Sequence, residues 1–469
     1  MRRDIILIKN TLIILFGKVC TQLISYLLLP VYTTVLSTEE YGTVDLLITY
    51  VTLIAPVITL QFESAVFRFL IDARDNQSAE SKIITNSVVC LFISVCGFCV
   101  VYGILSKYIM LEYAFPFILC VIANALISIF LQVARGLGDN IVYAVGSAIS
   151  GIFTVFFNIL FIVIYSFGVS GMMYATALSQ IIGTLYIFAK LNIVKYIDFK
   201  KINLNQIREM SKYSLPLIPN SLSWWIISVS DRTLVSIFIG VDANGILAVA
   251  TKFSTIVVNV FSIFNLSWTE SVAVHINDED GAEYISKITN QCFKMFASCG
   301  LVLIMGCSVF FKYLVGVNFL QAYNLIPLLV VGSILNVLQT LYGIIYIGLK
   351  DTKQVSKSSL MAAAINMLVD LMVIRYIGLY AAAVSTICAM LLLSIYRYID
   401  VNRIIKIKIS FSDIRYILLA YGLICIIYFW NNNMFNIIGL IASVFCCMIW
   451  NRSMIASIYT SVSNRVMKS

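Results

Sequence analysis

The chain has 469 residues, 61% of them hydrophobic and only 12% charged, with a net charge of +9. Soluble domains carry about 25% charged residues, so this composition excludes a soluble enzyme and points to a polytopic membrane protein. The positive balance is not a nucleic-acid footprint, because in such a protein it reports lysines and arginines in cytoplasmic loops.

Hydropathy predicts an all-α protein with about fourteen transmembrane helices, near 9–35, 43–70, 83–106, 113–134, 141–165, 170–190, 214–239, 245–272, 288–311, 320–348, 356–375, 378–397, 413–430 and 433–450. The opening MRRDIILIKN is charged and has no small-residue cleavage site behind a short apolar core. It reads as the retained start of the first span, not as a removed signal peptide. Of the 32 lysines and arginines, 25 fall on the termini and alternate loops, and the opposite loops hold only Lys107, Lys312 and Arg375. That bias puts both termini in the cytoplasm. External loops are short, so a polysaccharide polymerase or ligase, which needs a large external catalytic loop, is disfavoured. The twelve cysteines all lie in apolar segments and act as small hydrophobes. With a single histidine and no paired CxxC, neither zinc nor disulfides nor any other cofactor is expected. No GxxxxGK[ST] stretch exists for ATP hydrolysis.

The expected domains are an N-terminal six-helix lobe (1–190), a cytoplasmic linker rich in Lys and Asn (191–212), a C-terminal six-helix lobe (213–400), and two extra transmembrane helices with a cytoplasmic tail (401–469). The lobes look like a parallel duplication. Glu39-Glu40-Tyr41-Gly42 matches Asp242-Ala243-Asn244-Gly245, and Glu63 matches Glu270. Gly136-Leu137-Gly138-Asp139 matches Gly348-Leu349-Lys350-Asp351, Asn158 matches Asp370, and Ala175-Thr176 matches Ser385-Thr386. The matches keep their order along the chain. Parallel repeats of this kind place a substrate site between the halves, near the bilayer midplane.

Spans seven and eight carry the densest signal. Asp231 and Arg232 sit inside the first and Lys252 inside the second. Ionisable groups at that depth cost several kcal/mol unless paired or facing water, so each is a functional candidate or one partner of a structural interhelical pair. Asp278-Glu279-Asp280 superficially resembles a metal-binding DxD motif, but a solvated acidic loop is the default for it.

Tyr213-Ser214-Leu215-Pro216-Leu217-Ile218-Pro219, Trp224, Asp231-Arg232, Ala250-Thr251-Lys252-Phe253 and Trp268-Thr269-Glu270-Ser271 resemble the Wzx-type oligosaccharide flippases of the multidrug/oligosaccharidyl-lipid/polysaccharide exporter superfamily. Gln22, Pro30, Tyr32 and Glu39-Glu40-Tyr41-Gly42 are similar as well. The chain departs at Thr34, where many relatives have arginine, and at Ser37, near which they have glycine. The resemblance implies two six-helix lobes in a V with extra C-terminal helices, in a bacterial inner membrane. It implies a transporter and not an enzyme. The substrate would be a polyprenyl-diphosphate-linked oligosaccharide repeat unit for O-antigen, capsule or exopolysaccharide, moved by alternating access under an ion gradient or membrane potential.

Within that frame Lys18, Arg232 and Lys252 are expected to grip the diphosphate, arginine as a planar fork and lysine as a point charge. Asp231 and Trp224 complete the expected substrate-binding set, with an interfacial or packing role as the alternative for the tryptophan. Glu63, Glu270, Asp45 and Asp370 are gate or coupling candidates. Asn366 beside Asp370 suggests a cation site or simple intramembrane hydrogen bonding. Lys294 is expected to snorkel. Expected partners are the lipid-linked oligosaccharide, membrane lipid, Na+ or H+, and a polysaccharide polymerase, with no nucleic acid. The alternatives are a peptidoglycan-precursor flippase or a drug/cation antiporter of the same superfamily.

Overall fold

An apolar chain without water to satisfy its backbone has one local solution, the α-helix. The structure, a computed structural model, describes residues 24, 26–74, 76–105, 112–276, 278–349 and 351–452. Sixteen α-helices form among them, in two compact units, Met1–Val229 and Ser230–Ser469. The first unit holds α1 (Leu29–Val35), α2 (Thr38–Ile58), α3 (Phe62–Asp72), α4 (Gln77–Leu105), α5 (Ala114–Gly136), α6 (Asn140–Asn158), α7 (Gly168–Lys190) and α8 (Leu204–Ser214). The unit boundary falls within α9 (Ile218–Phe238). The second unit continues with α10 (Val241–His275), α11 (Gly281–Leu314), α12 (Ala322–Gly348), α13 (Thr352–Ile377), α14 (Tyr380–Ile404), α15 (Phe411–Trp430) and α16 (Asn433–Trp450).

Twelve helices are long and apolar enough to cross a membrane among the described residues. Two of the fourteen expected spans are not among them. Span one lies mostly outside the described residues. Span seven is the 21-residue helix α9, whose Ser228, Ser230, Asp231 and Arg232 make it comparatively polar. Packing follows the same order in both units: α5 and α6 each lie against α7, and α12 and α13 each lie against α14.

Span two, expected as one helix over 43–70, is broken. Pro56 has no N–H for the helical ladder, and Leu60 and Gln61 take left-handed backbone angles, φ 51° and 56°. Residues other than glycine pay about 1–3 kcal/mol each there, so tertiary contacts must hold the break. Gln61 supplies one, donating from Nε2 to Ser221 Oγ at 2.8 Å. The break lets α3 sink Phe62, Ala65, Val66 and Leu70 into the first unit's core with Ile84, Ile129 and Ile187.

Ser37 has a local purpose. Its hydroxyl accepts from Glu40 N (3.1 Å) and Glu40 Oε2 accepts from Ser37 N (2.8 Å), a reciprocal cap that starts α2. The 191–212 segment is folded rather than a loose tether. Tyr196 O accepts from Ser81 Oγ (2.7 Å) and Thr85 Oγ1 (3.0 Å), and Ile193 and Met210 enter the core. Asp278, Glu279 and Asp280 are exposed in the turn before α11, as the solvated-loop reading expects.

The first of the two C-terminal helices, α15, is clamped to its own unit. Tyr421 Oη donates to Ala297 O (2.9 Å), and Tyr323 and Tyr428 stack at 4.1 Å and exchange hydroxyl-to-carbonyl bonds.

Candidate functional site

In the second unit α9, α13 and α14 bring together polar side chains distant in sequence. Thr386 Oγ1 donates to Asp231 Oδ2 at 3.0 Å, while Asp231 Oδ1 is buried and has no hydrogen-bond partner. Asp370 on α13 is 0% exposed, and neither of its carboxylate oxygens has a hydrogen-bond partner among the described residues. The two carboxylates lie within electrostatic reach of each other. Asn366, one helical turn before Asp370, accepts from Ser230 Oγ (3.2 Å) and donates to Ser385 Oγ (3.3 Å). A buried carboxylate without hydrogen bonds is expensive, and two close together more so. Hard oxygen donors of this kind suit a small cation or a proton.

Of the residues expected at the substrate, Asp231 stands in this cluster. Arg232 and Lys252 are half-buried, on α9 and α10. Lys18 lies outside the described residues, as does the side chain of Trp224. Its neighbour Trp225 donates to Thr49 O at 3.1 Å within the first unit. Among the gate candidates, Glu63 opens α3 directly after the break, with Oε2 buried and without a hydrogen-bond partner. Its repeat mate Glu270 is exposed on α10, and Asp45 is half-buried on α2. Arg68 pairs with Asp72 and not with Glu63. His275 meets Ser271 O and the Tyr284 ring. Lys294 lies 3.9 Å from Asp413 on α15, so a carboxylate answers its charge.

Two groups of polar residues carried little sequence signal. Arg397 stands at the end of the expected span 378–397, yet α14 continues to Ile404 and buries it to 2% exposure. Its guanidinium donates to Ser358, Ser359, Gln339 and Val355 O, a neutral cradle with no carboxylate in it. The first unit holds a separate cavity of about 310 Å³, lined by Ile24, Leu28, Tyr32, Ser150, Thr154 and Gln180 among others. Glycines build it. A Cβ on Gly146 would meet Ile187, and one on Gly183 would meet Ser150 and Gly146 O, so α6 and α7 cross closely. Thr154 Oγ1 then donates to Ser179 Oγ at 2.8 Å, and Asn158 Nδ2 donates to Thr154 O at 2.6 Å. Directly after Asn158, α6 widens into a π-helical turn over Ile159–Ile164.

The chain is all-helical, with twelve candidate membrane spans among the described residues and a buried pair of carboxylates. Comparisons with solved structures agree on that fold. A structure of the lipid II flippase MurJ in an inward closed conformation aligns at 14% identity and TM-score 0.72, covering 96% of this chain and 100% of that one. An inward-facing multidrug resistance MATE family transporter of the MOP superfamily aligns at 15% identity and TM-score 0.66, covering 81% and 95%. An aspartate-to-asparagine mutant of the Vibrio cholerae MATE transporter VcmN gives 13% identity and TM-score 0.55, covering 85% and 96%. No curated protein matches the sequence. The family model described as "Polysaccharide biosynthesis protein" matches residues 7–269, more than half of the chain. The chain therefore belongs to this family, and its fold is that of the MurJ and MATE structures.

Proposed function

We propose that the chain flips polyprenyl-diphosphate-linked oligosaccharide repeat units, for O-antigen, capsule or exopolysaccharide, from the cytoplasmic to the outer leaflet by alternating access. Coupling to a cation, Na+ or H+, takes place at Asp231, Asn366, Asp370 and Thr386. The observation that supports it most is the buried carboxylate pair, with three of its four oxygens unpartnered among the described residues, in a chain of a polysaccharide-biosynthesis family. Carrying hydroxyls and a diphosphate through hydrocarbon is prohibitive without fixed polar partners and a driving force. The acid pair supplies a handle for a cation gradient. Arg232, Lys252 and Lys18 supply positive charge for the diphosphate, and Glu63, Glu270 and Asp45 are the gate residues. A polysaccharide polymerase on the outer face takes up the product.

The test is flipping in proteoliposomes. A fluorescent polyprenyl-diphosphate oligosaccharide is placed in one leaflet, and its exposure to a membrane-impermeant quencher is followed under Na+, H+ or no gradient. Gradient-dependent exposure is expected, and its loss in Asp231→Asn and Asp370→Asn. The peptidoglycan-precursor alternative, favoured by the fold shared with MurJ, predicts transport of a lipid-linked muropeptide instead. Efflux of an organic cation without either lipid would make the chain a drug antiporter.

A further inference from the structure

We infer that the cavity inside the first unit is a sugar-reading subsite for an uncharged, hydroxyl-rich ring, an inference that rests on the flippase reading above. Three polar groups point to it. Tyr32, Ser150 and Gln180 all line the cavity. Gln180 Oε1 is buried with no hydrogen-bond partner among the described residues, and Tyr32 and Ser150 add hydroxyls to the lining. Ser150 and Gln180 stand near the middle of helices long enough to cross a membrane, where an unmet polar group is expensive.

The other polar groups around the cavity are spoken for. Ser147 Oγ donates to Tyr143 O at 3.0 Å, and Thr154 Oγ1 donates to Ser150 O and Ser179 Oγ at 2.8 Å each. The polar lining is therefore drawn from three segments, the α1, α6 and α7 helices. Such a set can both donate and accept, which is what a ring bearing hydroxyls requires.

The chemistry of the lining narrows the ligand. The ten described lining residues are all uncharged, and none of them balances a phosphate or an organic cation. Ile24, Leu28, Ile127 and Leu131 give an apolar wall, and the Tyr32 ring gives a flat face for the C–H side of a pyranose. Ligand sites typically run about 300–1,000 Å³, and 310 Å³ stands at the low end, the scale of one sugar residue and not of a whole repeat unit. The diphosphate is left to the basic residues elsewhere in the chain. Recognition of a neutral ring and of the anionic linkage are thus separate tasks on separate side chains.

The experiment compares affinities of the purified full chain in lipid nanodiscs for two probes. One is undecaprenyl diphosphate carrying a single N-acetylhexosamine, and the other is bare undecaprenyl diphosphate. Tyr32→Phe, Ser150→Ala and Gln180→Leu each remove hydrogen-bonding capacity while changing shape little, and size-exclusion profiles report folding. Wild type should prefer the glycosylated lipid. Each substitution should cut that preference by roughly 2- to 10-fold, the scale of one net hydrogen bond, and the triple variant should bring the ratio close to one. An unchanged ratio in the folded triple variant would overturn the subsite, leaving the cavity as a place for water, while the flippase reading stands. Failure of wild type to bind either lipid would overturn the flippase reading and the subsite with it. If the triple variant does not fold, the three single variants decide by the same ratio.

Discussion

Asp370→Asn separates a cation site from a structural acid, because the two give opposite signs. Asp370 is wholly buried, and neither carboxylate oxygen is hydrogen-bonded among the described residues. Asparagine keeps the shape and removes the charge. In a buffer with choline as the sole cation, the variant should be at least as stable as wild type, since an uncompensated buried charge costs several kcal/mol. A carboxylate serving as half of a buried structural pair would instead cost about 3–5 kcal/mol on removal. A bound cation adds the second sign. At 100 times its Kd a ligand stabilises the folded state by about 2.7 kcal/mol. The second unit covers Ser230–Ser469, and at that size 1 kcal/mol moves the midpoint by about 2–4 °C. Wild type should therefore gain about 5–11 °C when choline is replaced by the coupling cation at constant ionic strength, and Asp370→Asn should gain nothing. The assay is thermal unfolding of the full chain in nanodiscs under Na+, K+, Li+ and a series of pH values. Equal gains in wild type and variant, or no gain in wild type with any cation or on acidification, would refute the cation site.

Arg397→Lys should destabilise the second unit by on the order of 2–4 kcal/mol, because an ammonium cannot reach Ser358, Ser359 and Gln339 together and leaves buried acceptors unmet. Gly343→Ala should do similar damage by driving a methyl into the same guanidinium; thermal midpoints of both variants check this. Arg232→Gln and Lys252→Ala should each weaken binding of bare undecaprenyl diphosphate by roughly 1.5–3 kcal/mol, and Arg232→Lys should hurt as well. Full affinity in both of these, and in Lys18→Ala, would end the cationic role. Impermeant thiol reagents on a cysteine-free background should reach Asn203→Cys only from the cytoplasm and Asn432→Cys only from outside, as the loop-charge bias requires.

The helical, many-span character was legible because hydrocarbon forces it: an apolar run of about 20 residues has few other solutions. Features set by contacts between distant residues were not. The break at Leu60 and Gln61 is held by the Gln61–Ser221 bond, 160 residues apart, which no local pattern announces. Asp231 and Thr386 are 155 residues apart, so the sequence offered Arg232 as the obvious neighbour of Asp231 and could not present Asp370. The burial of Arg397 was not legible, because positive charge near a span end normally means loop. Its neutral cradle of serines and a glutamine carries no sequence signature. The cavity residues Tyr32, Ser150 and Gln180 were hidden for a similar reason, since serines and glutamines in apolar helices are often satisfied locally by the carbonyl one turn back, as Ser147 is.

The repeat we propose from the sequence would let one fold hold two unlike polar centres. Asn158 and Asp370, matched in that proposal, are both 0% exposed. Asn158 donates to Thr154 O, while Asp370 has no hydrogen bond. The matched positions on the following helix, Thr176 and Thr386, differ likewise. The first donates to its own helix at Met172 O (2.9 Å), and the second donates across to Asp231 (3.0 Å). One copy thus has a neutral polar core around Thr154, with the amide oxygens of Asn158 and Gln180 unpartnered among the described residues, bordered by a cavity. The other has a polar core that is acidic and incompletely satisfied. A neutral centre responds little to an ion gradient but can hold hydroxyls, whereas an acid pair does the reverse. Duplication followed by an exchange of amide for carboxylate is sufficient to divide the two tasks between the copies.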